Sequence, residues 1–158
     1  KFLRYSLDND PDSKVSLRQE VDALTLYLDI EKVRFGERLH FELDIDDKAK
    51  IGFIPSLLLQ PIVENTMKHV IAKSEEGGSI SLHAAVVDSV LIIALSDSGR
   101  GLNQDSIHIK GNENRGVGLR NIEERLNNIY PNHHTFDFTV LDAGNLQTTI
   151  KVPYETHT

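Results

Sequence analysis

Asn65, Lys68 and His69 put an amide, an ammonium and an imidazole within about one helical turn of the stretch PSLLLQPIVENTMKHVI, Pro55–Ile71. On a helix at about 100° per residue, Leu59, Val63, Thr66, Met67 and Val70 form one mostly apolar stripe. Pro61, Asn65, Lys68 and His69 fall on the opposite side. A surface helix usually fills that side with Glu, Lys and Arg. This set suits a metal-bound polyphosphate instead. The neutral carbonyl oxygen of Asn65 can ligate a Mg²⁺ that keeps most of its waters and bridges phosphates. Lys68 would bring charge to those phosphates, and His69 a donor.

Two glycine-bearing stretches follow. LIIALSDSGRGL, Leu91–Leu102, reads as a buried-type strand running into a turn with Asp97, Gly99 and Gly101. A carboxylate ending such a strand is desolvated unless something donates to it. The exocyclic amine of adenine is such a donor, whereas guanine carries a carbonyl there. Gly99 and Gly101 let the backbone approach a ring closely or take positive φ. NRGVGLRNIEERL, Asn114–Leu126, has Gly116 and Gly118 opening an amphipathic helix, where free N–H groups and the helix dipole favour phosphate. Each stretch alone has an ordinary reading: a polar surface, a strand-end turn, a flexible helix start. Together and in this order they point to a nucleotide.

The scaffold for these groups is a single domain. The chain has 158 residues, enough for a real core, with ordinary globular composition. No apolar run is long enough to span a bilayer, and no signal-peptide pattern opens it. Zero cysteines rule out disulfides and thiolate metal sites and fit a reducing cytoplasm. A net charge of −7 argues against a nucleic-acid binder. An anionic nucleotide remains compatible, because Lys68, Arg100, Lys110, Arg115 and Arg120 cluster around the motifs and the local field decides.

Along the chain, Phe2, Leu3 and Leu7 suggest the last turns of a helix, and Lys1 reads as a fragment boundary within a longer protein. Asp8–Ser13 is a polar break. Ser16-Leu17-Arg18-Gln19 is a capping box, followed at helical spacing by Leu17, Val21, Leu24 and Leu28, with Gly36 as the stop. Arg38–Asp46 alternates as a strand with one wet face, and Ser79–Val87 does the same. Val90–Asp97 is nearly continuously apolar, which predicts a central strand covered on both faces. Leu102–Arg115 is a long polar loop of the kind that is uncommon unless functional. A helix burying Leu119, Ile122, Leu126 and Ile129 ends at Pro131, and strands at Thr135–Leu141 and Thr148–Val152 close the domain.

The three motifs in this order resemble the nucleotide site of the GHKL superfamily. YLDIEKVRFGERL (Tyr27–Leu39), IPSLLLQPIVENTMKHVI (Ile54–Ile71) and GVGLRNIEERL (Gly116–Leu126) narrow the resemblance to the LytS-type sensor histidine kinases, over nearly the whole chain. The resemblance implies the Bergerat fold: an α+β, two-layer α/β sandwich whose mixed, mostly antiparallel sheet carries helices on one face. Residues 1–13 would end a dimerisation or linker helix, and 14–158 would form the ATP-binding catalytic domain. Asn65 would take the Mg²⁺ role and Lys68 and His69 the phosphate roles. Asp97, with Gly99 and Gly101, would hold adenine. Arg115, Gly116, Val117, Gly118 and Leu119 would end the ATP lid. ATP and Mg²⁺ are the implied cofactors. The γ-phosphoryl would pass to a histidine on an acceptor helix outside this chain, within a homodimer, and a response regulator would be the partner. The full-length protein would be membrane-anchored, with this domain in the cytoplasm.

Three positions depart from the family pattern. Val70 stands where a glycine is usual, Ser98 where asparagine is commoner, and Leu146, aligned from Pro153, where a threonine would help hold the adenine aspartate. They bear on ATP affinity more than on fold. A degenerate nucleotide- or partner-binding module and a hydrolysing GHKL ATPase are the alternatives. Hydrolysing relatives carry a Glu one turn before the Asn; here that position is Pro61, and Glu64 points about 100° away.

Overall fold

The computed structural model describes residues 13–71, 75–98, 117–140 and 146–156, without the side chains of residues 69, 70, 117–119 and 140. The first elements are β1 (Lys14–Ser16), α1 (Leu17–Phe35), β2 (Leu39–Ile45), the single turn α2 (Asp47–Lys50) and β3 (Phe53–Pro55). Then come α3 (Gln60–Thr66), β4 (Gly78–Val87), β5 (Val90–Asp97), α4 (Val117–Ile129), β6 (Thr135–Val140) and β7 (Leu146–Pro153).

Local chemistry sets the limits of α1. Gln19 N–H donates to Ser16 Oγ at 3.2 Å, and Ser16 N–H donates to Gln19 Oε1 at 3.2 Å, so both halves of the capping box form. Gly36, at φ +61°, ends the helix. Its buried face carries Leu17, Leu24, Leu28 and Phe35 into the core.

The main sheet has the order β2-β4-β5-β7-β6. Only β2 and β4 run parallel; the other neighbours are antiparallel. Ile80, Leu82 and Ala84 of β4, Leu91, Ile93 and Leu95 of β5, and Ile150 and Val152 of β7 turn inward. They meet α1, Ile62 and Val63 of α3, and Ile122 and Leu126 of α4 in one core. This is the expected two-layer arrangement, and it corrects one expectation about β5. The strand is central, but Val90, Ile92, Ala94 and Ser96 alternate with its buried residues and remain half-buried. Apolar residues there favour a strand without being covered.

A second, two-stranded sheet pairs β1 with β3 in antiparallel register, Val15 opposite Ile54. It takes Pro55 into β3 and away from the helix expected over Pro55–Ile71. Ser56–Leu59 is a turn with Leu57 at φ +58°, and α3 begins only at Gln60. Beyond Thr66 the helix widens into a π turn, Met67–Ile71. The apolar stripe survives in part, since Leu59, Val63, Thr66 and Met67 are buried. Residues 1–12, the expected end of a dimerisation helix, and the loop 102–115 lie outside the described residues.

Candidate nucleotide site

Asn65 sits half-buried near the end of α3, and Lys68 is exposed on the π turn, which also carries His69. Single π turns inserted in α-helices occur often at functional sites, because the extra residue changes which side chains share a face. Asp97 ends β5 on its inward face, 6% exposed, paired with Ile80. Ser98 secures that strand end twice: its N–H donates to the Ser79 carbonyl at 3.0 Å, and its Oγ accepts the Ser79 N–H at 3.0 Å.

The π turn and the Asp97 strand end meet over Gly78. A Cβ there would lie 2.6 Å from Ser98 Oγ and 2.7 Å from Ile71 Cδ1. The preceding Gly77 takes φ +78°, and a Cβ on it would fall 2.0 Å from the Arg38 carbonyl oxygen. Two glycines thus let the start of β4 pass between Arg38 on one side and both motif-bearing elements on the other. The pair Gly77-Gly78 reads from sequence only as a turn.

α4 supplies the third element. It opens at Val117, so Val117, Gly118 and Leu119 form its first turn, and it packs against α3. Gly99, Gly101, Arg115 and Gly116 lie outside the described residues. The structure therefore brings the turn that carries Lys68 and His69 up to the strand end that bears Asp97, over Gly78, and packs α4 against the helix that carries Asn65.

Sequence reasoning missed the supports of this arrangement. Glu20 of α1 is 1% exposed, and its carboxylate accepts the N–H of Leu57 at 3.1 Å and of Leu59 at 3.0 Å. Arg125 of α4 donates from Nη2 to the Ser56 carbonyl at 2.7 Å. Ser56 N–H donates to the Ser13 carbonyl at 2.9 Å. The turn that begins the Asn65 helix is thus held from three directions. The missed signal was Glu20 itself, a carboxylate three residues after Leu17 and four before Leu24, inside the apolar stripe of α1.

Tyr27, on α1, has its hydroxyl pushed up to about 12, first by burial and then by the charges of Glu31 and Glu64. The charge of exposed Glu64 is therefore felt on the α1 side, in keeping with its offset from the Asn65 face.

Known proteins give the arrangement its kinship. A family model described as "Histidine kinase" matches residues 1–39. The Escherichia coli (strain K12) sensor histidine kinase YpdA is 32% identical over 133 residues, which cover 82% of this chain and 23% of that protein. The LytS sensor protein of Oceanobacillus iheyensis is 30% identical over 154 residues, 92% of this chain and 26% of that protein. Among solved structures, the catalytic domain of the histidine kinase ThkA superposes with a TM-score of 0.65 at 11% identity, covering 90% of this chain and 96% of that one. The chain is a relative of the LytS-type sensor histidine kinases and has the histidine kinase catalytic-domain fold.

It spans about a quarter of the length of these curated relatives. The histidine kinase ShkA, solved at full length in complex with AMPPNP, shares the fold with a TM-score of 0.64 at 16% identity, over 92% of this chain and 32% of that one. Within the histidine kinase fold, the departure at Leu146 acquires a location. Ser96 pairs with Gln147, so the same antiparallel register sets Leu146 beside Asp97. Leu146 is 5% exposed and brings no hydroxyl to that carboxylate. Thr148, one inward position along β7, is buried opposite Leu95. Among the described residues no helix is long and apolar enough to cross a membrane.

Proposed function

We propose that this chain is the ATP-binding catalytic domain of a two-component sensor histidine kinase, and that it delivers the γ-phosphoryl group to a histidine on a helix outside these residues. The observation that carries the reading is the meeting, over Gly78, of the π turn that continues the Asn65 helix with the strand end bearing Asp97. Adenine would lie against Asp97, Gly99 and Gly101. The phosphates would run toward Lys68, His69 and the start of α4, with Arg115, Gly116, Val117, Gly118 and Leu119 closing over them. Such a site acts mostly by positioning and by neutralising charge.

Mg²⁺ fits this donor set. Among the described residues there is no cluster of three or more His, Cys, Asp or Glu side chains able to hold a metal ion. One neutral oxygen from Asn65, with phosphate oxygens and water, meets the ion's preference for few protein ligands. The acceptor helix of a homodimer and a response regulator are the partners this reading requires, with residues 1–13 leading in from the acceptor side.

Titration calorimetry of the wild type, Asn65→Ala and Asp97→Asn with ATP and GTP, with and without Mg²⁺, tests the assignment. ATP should bind more tightly than GTP, Asn65→Ala should lose the Mg²⁺ dependence, and Asp97→Asn should lose the preference for ATP. Unchanged ATP affinity in Asp97→Asn would remove the adenine role. A hydrolysing ATPase is the second reading, and Pro61 speaks against it. One turn before Asn65 this residue offers neither an acid nor a base, and losing a positioned base typically costs about two to four orders of magnitude in rate.

A further inference from the structure

In the turn Ser56–Leu59 a buried carboxylate from a distant helix accepts two backbone N–H groups. Glu20 lies 37 residues before Leu57 and 39 before Leu59. It receives both N–H groups at hydrogen-bond distance while 1% exposed. Leu59 is fully buried, and Leu57 is held at φ +58°, a conformation a leucine adopts only when its surroundings impose it. Charged acceptors make stronger bonds to N–H than neutral ones, and a buried N–H left unpaired is costly. Arg125 grips the Ser56 carbonyl from α4, and the Ser13 carbonyl receives the Ser56 N–H.

From this geometry we infer that Glu20 is a positioning residue for the nucleotide helix: by holding the Leu57 and Leu59 amides it sets where α3 begins, and so where Asn65 stands. The inference rests on the assignment of Asn65 to the phosphate–metal end of the site. α3 is only seven residues long, from Gln60 to Thr66, and continues as a π turn. Its own hydrogen bonds are too few to define its start against a loosened turn. A shift at Leu59 therefore reaches Asn65, six residues on.

Glutamine at position 20 keeps the size of the side chain and one carbonyl acceptor. It aims an amide N–H₂ at the second backbone N–H, where a carboxylate oxygen now accepts. Alanine removes both acceptors. Leu28→Ala serves as the comparison, because Leu28 is buried two turns further along α1 and its truncation loosens the same helix without removing the carboxylate.

The experiment uses the whole 158-residue chain. Amide hydrogen exchange at Leu57 and Leu59 and the side-chain amide resonance of Asn65 are followed by NMR without nucleotide. ATP affinity in the presence of Mg²⁺ is then measured by calorimetry, and thermal midpoints give the overall stability. In Glu20→Gln the Leu57 and Leu59 amides should exchange at least about tenfold faster, and the Asn65 side-chain resonance should move. ATP should bind about tenfold more weakly, a difference of 1.4 kcal/mol, and Glu20→Ala should go further in each respect. Leu28→Ala should lower the midpoint while leaving the Asn65 resonance in place and ATP affinity within about twofold of wild type. Unchanged exchange at Leu57 and Leu59 in Glu20→Gln overturns the inference. So does faster exchange there with Asn65 unmoved, or an Asn65 shift of equal size in Leu28→Ala. If the wild type binds no ATP, the functional reading fails, and the Asn65 resonance still decides the role of Glu20.

Discussion

Replacing Gly78 with alanine tests the contact on which the site depends. The new Cβ would lie 2.6 Å from Ser98 Oγ and 2.7 Å from Ile71 Cδ1, both closer than non-bonded atoms tolerate. Neither neighbour can yield without loss. Ser98 Oγ accepts the Ser79 N–H, and giving up that bond costs about 0.5–1.5 kcal/mol. Ile71 is fully buried, so moving its methyl group overpacks a filled core, at about 1–3 kcal/mol. Alanine recovers about 0.5–1 kcal/mol because glycine is poor in a strand. The central values leave a net loss of about 2 kcal/mol, or a fall of about 4–8 °C in Tm for a domain of this size. Urea unfolding and calorimetry measure it directly. Ser98→Gly removes the nearer obstacle, so the double variant should be more stable than the two single losses predict, by about 1 kcal/mol. A fall of less than about 2 °C in Gly78→Ala, or strict additivity with Ser98→Gly, would show that the π turn and the Asp97 strand end do not meet there.

Ser16→Ala should cost about 1 kcal/mol through loss of the α1 cap; an unchanged urea midpoint would mean that the capping box adds nothing. Burial, with Glu31 and Glu64, raises the Tyr27 hydroxyl to about 12 from the ordinary 10.0, so the folded chain keeps a proton that the unfolded chain gives up. That contribution is complete below pH 10 and is lost as pH rises toward 12, so the decline of Tm over this window should be shallower in Tyr27→Phe than in wild type. Equal slopes would show that Tyr27 is not perturbed. Steady-state phosphate release should be far below about one turnover per second, the low end of ordinary enzyme rates; release at that rate, abolished by Asn65→Ala, would favour the hydrolase. Incubation with γ-labelled ATP should leave no stable label on the 158-residue chain, because the proposed function assigns His69 to the phosphates and His40 and His83 alternate along exposed strand faces; a stable label would place the acceptor inside it.

Where a few adjacent residues determine the outcome, sequence and structure agree closely. The Ser16–Gln19 cap, the Gly36 stop and the alternation of Leu39–Ile45 each depend on neighbours along the chain, and each is present. The largely antiparallel sheet with one wet face is also present, and its strands needed only the period-two pattern to be read. β1 and β3 were not legible: strands of three residues have no period, and their pairing joins Ser16 to Phe53 across 37 positions. The expected cover on both faces of β5 was wrong because an apolar side chain can favour a strand without being buried in it. The π turn over Met67–Ile71 has no signature in composition, although it bears two of the residues singled out for the phosphates.

The misplaced start of α3 has a more instructive cause. Leu57, Leu58 and Leu59 continue the apolar pattern of the helix that follows, so periodicity extends the helix back through them. What bends the chain is Glu20 from one side and Arg125 from the other, both remote in sequence. The clue was therefore at the distant partner. Most buried positions of α1 hold an apolar side chain, and one holds a carboxylate that must find donors or pay heavily in desolvation. In its own first turn the Leu17 N–H already donates to the Gly52 carbonyl and the Gln19 N–H to Ser16 Oγ. A buried acid in an otherwise apolar stripe thus predicts a backbone elsewhere with N–H groups to satisfy. In this chain that backbone is the turn at the head of the helix that carries Asn65. Positions where a sequence breaks its own local pattern are where a function is most worth seeking. Glu20 breaks the pattern in α1, and the element it supports is the one whose polar face first suggested a nucleotide.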